Sequence, residues 1–269
     1  MRMLRAVFHF SLFSALAACG GEAVQKPAQS TATVPAAAPA PPAPLDFETR
    51  YKASYAAAVE AATAGDLKRA QALLDALVPD AKPKTDADTE FWLHNQLTWV
   101  HWAAGDLEGA LAEVDAAKDA LGRSQLDAPS KTKLALHELW DRAYIELELA
   151  HAAAPADHDA FYSKADDARN AYQELAIAND DRDGMAVLEA FFAVRKGDGT
   201  HAKMAAKRVD MTKDEDLQDL YVLALALDLG GDAAGAQNAR ARICSGHVYL
   251  MKPLIVQQLA RENHACAAP

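Results

Sequence analysis

From Asp46 onward the apolar positions recur with the period of a helix, and strictly alternating apolar and polar runs are lacking. Alanine and leucine are abundant and β-branched residues sparse, which favours helix throughout. One punctuation recurs four times. Gly65-Asp66 precedes Ala70, Gly105-Asp106 precedes Ala110, Gly197-Asp198 precedes Ala202, and Gly231-Asp232 precedes Ala236. Glycine takes the left-handed conformation that ends a helix at low steric cost. Aspartate then caps the next helix, accepting its free amides and favouring its positive end. Alanine one turn later lets the second helix approach the first closely. The glycines are 40, 92 and 34 residues apart, so the middle gap fits two units of about 46. The missing turn is placed at 150–159, where Pro155, Asp157 and Asp159 break a helical pattern and Ala165 takes the small contact position. The pattern predicts five helix pairs. Their first helices fall near 47–64, 86–104, 130–153, 183–196 and 213–230, each followed by a shorter second helix. A last helix near 253–263 is expected to cap the stack.

A helix pair every 34 to 46 residues, turning on Gly-Asp with a small residue five beyond the glycine, resembles the tetratricopeptide repeat family. Leu97, Ala104, Gly105, Asp106, Ala110, Leu111 and Ala117 carry the best match. The last unit keeps Leu223, Ala224, Gly231, Asp232, Ala236 and Ile243. The likeness covers about 200 residues, 47–243. It departs from the family where Ser54, His94 and Leu220 replace aromatic residues, at Arg240, and in unit length. The expected class is therefore all-α: an α-solenoid of about five tetratricopeptide-like helix pairs plus a C-terminal capping helix. Another α-solenoid or an irregular helical bundle is the alternative.

The N-terminus reads differently. Arg2 and Arg5 precede an apolar run over 6–16, and Leu16-Ala17-Ala18-Cys19 closes it. A basic start, an apolar segment and small residues make a secretory signal peptide. Cysteine directly after them resembles the lipobox of bacterial lipoproteins. That resemblance implies cleavage before Cys19 and lipidation of its sulfur and its new amine. Several acyl chains anchor firmly where one does not, at about 0.8 kcal/mol per buried CH₂. The apolar run is well short of the roughly 20 residues that span a bilayer. With Gly20 in place of an aspartate, the same resemblance implies transport onward to the outer membrane in Gram-negative bacteria. The expected divisions are a signal peptide over 1–18, lipidated Cys19 with an Ala/Pro-rich tether over 19–45, and a helical domain over 46–269. Prolines at 27, 35, 39, 41, 42 and 44 make the tether extended and semi-stiff, with a reach on the order of 80 Å.

Charge narrows the partners. The formal charge of −11 becomes −13 once Arg2 and Arg5 are removed. An acidic chain with no block of Lys or Arg argues against nucleic acid and against an anionic membrane surface. With Cys19 lipidated, Cys244 and Cys266 remain as an even pair in an oxidising compartment, either bonded or as two buried thiols.

Trp92, Asn95, Trp99 and Trp102 stand at i, i+3, i+7 and i+10 and so share one helix face. The resemblance places that face, with Tyr55 and Tyr221 of two other units, on a concave groove that receives extended peptides. Indoles supply rigid contact area there, and Asn95 would hydrogen-bond a peptide backbone. Packing between units is the competing role for the same tryptophans. His94 and His101, at i and i+7, are too far apart for one ion without a ligand between them, and read as capping or core histidines. His264-Ala-Cys266 is a single short pair whose cysteine oxidation competes with metal binding. No phosphate-binding loop, dinucleotide fingerprint, Gly-x-Ser-x-Gly, His-Glu-x-x-His or Cys-His nucleophile pattern occurs. The expectation is a non-enzymatic protein without metal or cofactor, lipid-anchored at the periplasmic face of the outer membrane. It would bind protein partners of the cell envelope as a scaffold or assembly factor. The alternative is a glycan or small ligand stacked in the tryptophan groove.

Replacing Cys19 by Ala is expected to release the protein into the soluble fraction or to leave it unprocessed. A Cys19→Ala chain that fractionates and migrates like the parent would overturn the lipidation reading.

Overall fold

Residues 46–84, 87–212, 216–262, 264 and 266 are described by the structure, a computed structural model. The expected signal peptide over 1–18, Cys19 and the expected tether over 19–45 lie outside the described residues. Helix runs through the described chain: α1 (Phe47–Thr63), α2 (Leu67–Asp75), α3 (Val78–Lys84), α4 (Ala87–Ala104), α5 (Leu107–Arg123), α6 (Ala128–Ala152), α7 (His158–Ala178), α8 (Arg182–Arg195), α9 (Gly199–Ala206), α10 (Leu217–Leu229), α11 (Ala233–Ser245) and α12 (Met251–Arg261). No strand occurs among the described residues, so the domain is all-α. None of these helices is long and apolar enough to cross a membrane.

The starts follow the caps. Asp127 accepts from the Ser130 amide and places Pro129 in the first turn, so α6 begins two residues before the position expected from periodicity. Asp216 accepts from the Gln218 amide and starts α10 at Leu217 rather than near 213. The short α3 was not expected.

One turn geometry joins most of the helices, and its chemistry is local. At Gly65, Gly105, Gly197 and Gly231 φ lies between +72° and +82°. The amide of the aspartate that follows reaches back to a carbonyl in the last turn of the preceding helix: Asp66 to Ala61, Asp106 to His101, Asp198 to Ala193, and Asp232 to Leu227. This satisfies a carbonyl that the helix end would leave without a partner. The same aspartate's carboxylate accepts from the amide three residues on, at Arg69, Gly109, His201 and Gly235. One residue therefore closes one helix and opens the next. The turn between α7 and α8 copies this geometry without glycine. Asp181 N donates to Ala176 O, its side chain caps Gly184, and Asp180 takes the left-handed position at φ 56°. Glycine would hold that position without the steric cost of a Cβ.

Consecutive helices pack as pairs, α1 on α2, α4 on α5, α6 on α7, α8 on α9 and α10 on α11. The small positions singled out from spacing, Ala70, Ala110, Ala165, Ala202 and Ala236, are all fully buried. Neighbouring pairs meet through α2 and α4, α5 and α6, α6 and α8, and α8 and α10. The last helix does not merely cover the pair that precedes it. It lies against α1, α4 and α10 as well as α11, and buries Leu254, Ile255 and Leu259 there.

Asp180→Gly is expected to stabilise the domain by up to about 1 kcal/mol, reduced by the lost exposed ion pair with Arg182. Gly105→Ala is expected to cost about 1–2 kcal/mol, and because a Cβ there meets nothing, the loss measures backbone strain alone. Chemical denaturation of both variants checks the pair; equal effects would remove the turn argument. The caps also set an acid limit. Asp106 is held below the usual carboxylate range by the Gly109 amide and then His101, and Asp232 by Lys207 and then the Gly235 amide. Their contribution is complete above the ordinary carboxylate pKa and is lost as pH falls through the lower folded values. Melting temperature should fall on acidification below about pH 4, with a shallower fall in Asp232→Asn.

Candidate functional site

The first helices of the pairs bring their aromatic residues to one place. Trp99 and Trp102 project from α4, Trp140 and Tyr144 from α6, Phe191 from α8 and Tyr221 from α10. Trp99 meets Trp102 edge-on at 5.4 Å between centroids and Tyr144 at 5.2 Å. Trp102 meets Tyr144 at 5.8 Å and Tyr221 at 5.9 Å. Tyr144 stacks on Phe191 at 4.1 Å and on Trp140 at 5.2 Å. Edge-on and offset arrangements suit the ring quadrupoles and add to the burial energy.

These rings form a core and do not line an open groove. Trp99 is 2% exposed, Trp102 4% and Tyr221 1%. The expectation of an exposed tryptophan face on α4 is therefore corrected for Trp99 and Trp102. The physical reason is that α6 and α10 present rings of their own to the same face, leaving no indole plane for a peptide or a sugar. Trp92 is the partly exposed member, and it packs edge-on with Phe91 and His137 in a smaller cluster between α4, α5 and α6. Asn95 is directed to Asp141, with its Nδ2 2.5 Å from Oδ2, and so ties α4 to α6.

Tyr55 and Tyr221, expected to face a peptide, hold the chain's own C-terminal helix. Tyr55 OH accepts from the Leu250 amide at 3.2 Å, just before α12 begins. Tyr221 OH donates to Glu262 Oε1 at 2.7 Å, just after it ends. Between them Gln257 donates to the Ala62 carbonyl, and Arg261 Nη1 to the Ala103 carbonyl at 2.6 Å. Both carbonyls lie in the last turns of α1 and α4, where helix ends leave acceptors to be filled. Gln257 and Arg261 stand one turn apart on α12, so a single polar edge serves two helix ends.

Charge is drawn into the same core. Glu148 of α6 pairs with Arg195 of α8 at 2.5 Å, and the Arg195 guanidinium lies 4.9 Å from the Phe191 ring. Burial pushes the Glu262 carboxyl up from its ordinary range, with the Tyr221 hydrogen bond and Arg195 opposing the rise. Burial also raises the Tyr144 and Tyr221 hydroxyls well above theirs. Trp99 Nε1, Trp140 Nε1, Tyr144 OH, Arg195 Nε and Glu262 Oε2 are buried without a hydrogen-bond partner. The end of the chain is fixed covalently. Cys244 and Cys266 form a disulfide, which takes Cys266 out of any metal pair with His264. His264 instead faces Asp228 at 3.3 Å. Of the two α4 histidines, His94 bonds Glu113 and His101 bonds Asp106, in keeping with core and capping roles.

The sequence reading missed Trp140, Tyr144, Phe191, Arg195 and the polar edge of α12. The i, i+4 spacing of Trp140 with Tyr144 and of Phe191 with Arg195 was the available signal. No protein-family model, no curated protein and no solved structure matches the chain.

Trp99→Ala is expected to cost about 3–5 kcal/mol, the usual range for emptying a large buried aromatic site. A melting temperature near that of the parent would return Trp99 to an exposed role. Thiol titration of denatured, unreduced protein should find neither Cys244 nor Cys266. Reduction should lower stability by about 3 kcal/mol, the chain-entropy cost of reopening a loop of 22 residues.

Proposed function

We propose that this chain is a membrane-tethered protein-binding scaffold of the bacterial cell envelope, with a tetratricopeptide-like domain. The observation that supports it best is the succession of helix pairs joined by one repeated Gly-Asp turn. Stacked helix pairs present a long, designable surface for the material they contain, and partner binding is what such surfaces do. In this reading Cys19 anchors the protein in the outer membrane, and the Ala/Pro-rich tether sets the domain's reach from it.

Helix α12 occupies the α1, α4 and α10 part of the first-helix side, so in this reading the partner surface falls to the outward side chains. Among the described residues Ile177, Met204, Leu229 and Val248 are large, apolar and exposed. The acidic chain favours a partner with a basic contact surface. A small-ligand reading keeps one observation in its favour: the unpartnered buried polar atoms of Trp99, Trp140, Tyr144, Arg195 and Glu262. Sugar stacking on Trp99 or Trp102 is not part of it, because both indoles are buried against other rings.

A photo-crosslinking residue placed at Ile177 or Met204 of the full-length protein is expected to capture a defined envelope protein in living cells. Aspartate at both positions should abolish that adduct without changing the melting temperature. Absence of any protein adduct at either position, together with a small molecule released from the purified, heat-denatured protein, would favour the ligand reading.

A further inference from the structure

Helices α2, α4 and α5 meet along a polar seam that the scaffold function does not use. Glu90, His94 and His101 lie on the buried side of α4. His94 Nδ1 is 2.6 Å from Glu113 Oε2 of α5, and His101 Nδ1 is 2.7 Å from Asp106 Oδ2 at the start of α5. Arg123 is engaged by Glu90 at 2.7 Å. Asp75, the last residue of α2, completes the seam. Its carboxylate, a His101 ring nitrogen and the Glu113 carboxylate all lie within 4.8 Å of one another.

That arrangement carries more negative charge than its neighbours balance. Glu113 is half-buried with the more open Asp75 beside it, and among the described residues neither forms an ion pair with lysine or arginine. Two carboxylates so placed repel unless a cation lies between them. The donor set is also prepared for one. An ionised carboxylate can only accept, so Asp106 fixes the proton of His101 on Nδ1 and leaves the Nε2 lone pair as a ligand. This is the carboxylate–histidine–metal relay by which proteins orient a ligating imidazole. His94 stands in the corresponding place for Glu113, fixing one carboxylate oxygen while the other is left to bind.

We propose that Asp75, His101 Nε2 and Glu113 bind a divalent transition-metal ion of the zinc class, with water completing its coordination. One imidazole and two carboxylates from three helices match the nitrogen and oxygen ligands such ions take. One ring nitrogen of His101 and one oxygen from each carboxylate lie within 4.8 Å of one another, so an ion centred among them sits at most about 2.8 Å (4.8/√3) from each. Side-chain movements of under about 1 Å then reach bonding distances near 2.0–2.2 Å. The ion would staple α2 of the first helix pair to α4 and α5 of the second. Only one of the two α4 histidines ligates it, so their i, i+7 spacing is no obstacle.

The test uses the full-length protein in detergent, stripped with a chelator and titrated with Co²⁺ and then Zn²⁺. One equivalent of Co²⁺ should bind with visible ligand-field bands, Zn²⁺ should displace it, and the melting temperature should rise with Zn²⁺. Asp75→Asn and Glu113→Gln should each weaken Zn²⁺ binding by at least about tenfold. The metal-free variants should melt no lower than the metal-free parent, because each substitution removes carboxylate repulsion. This second readout separates lost ligation from lost folding. A parent protein with no saturable Co²⁺ or Zn²⁺ binding would overturn the site, and so would unchanged affinity in both variants.

Discussion

A single aspartate does two things at each repeated turn, and the rest of the domain depends on its doing both. Its amide closes the preceding helix, and its carboxylate opens the following one. Because no residue separates the two tasks, the connection has little freedom to vary. The second helix is returned against the first at a distance that only small side chains tolerate. Fully buried Ala70, Ala110, Ala202 and Ala236 follow from that restriction. Pair geometry is thus set by hydrogen bonds within a few residues, before any long-range contact forms.

What the pairs leave over is a face made of first helices, and its energetics are of another kind. There the large side chains gather, with rings from α4, α6, α8 and α10 in mutual contact. The Glu148–Arg195 pair sits against those rings, at the edge of the core where a desolvated charge must be matched. Helix α12 completes the cover, combining apolar burial with donors to helix-end carbonyls. The disulfide then limits how far the last helix can leave.

Helix positions were legible in the sequence because caps and turns are written locally. The Gly-Asp pairs announce four turns, and Pro155 with Asp157 announces the break between α6 and α7. The turn at Asp180-Asp181 was less visible, since aspartate stands where glycine marks the others. The candidate site was legible only as a face. The i, i+3, i+7 spacing puts Trp92, Asn95, Trp99 and Trp102 on one side of α4, yet spacing cannot say what covers that side. The cover comes from Tyr144 and Tyr221, dozens of residues away in sequence, and from α12 at the far end of the chain. For the same reason Asp75 gave no hint that it would meet His101 and Glu113.

The placement of α12 against α1 joins the first helix of the domain to the last, through bonds that cross 195 residues at Tyr55 and Gln257. A row of helix pairs that touch only their neighbours can fray from either end, pair by pair. Here the end pairs share a helix, so loosening one end removes support from the other. Closing such a long loop also means that the N-terminal half cannot reach its final packing until the C-terminal segment has arrived. The domain should therefore behave as one cooperative unit, assembled late and lost all at once.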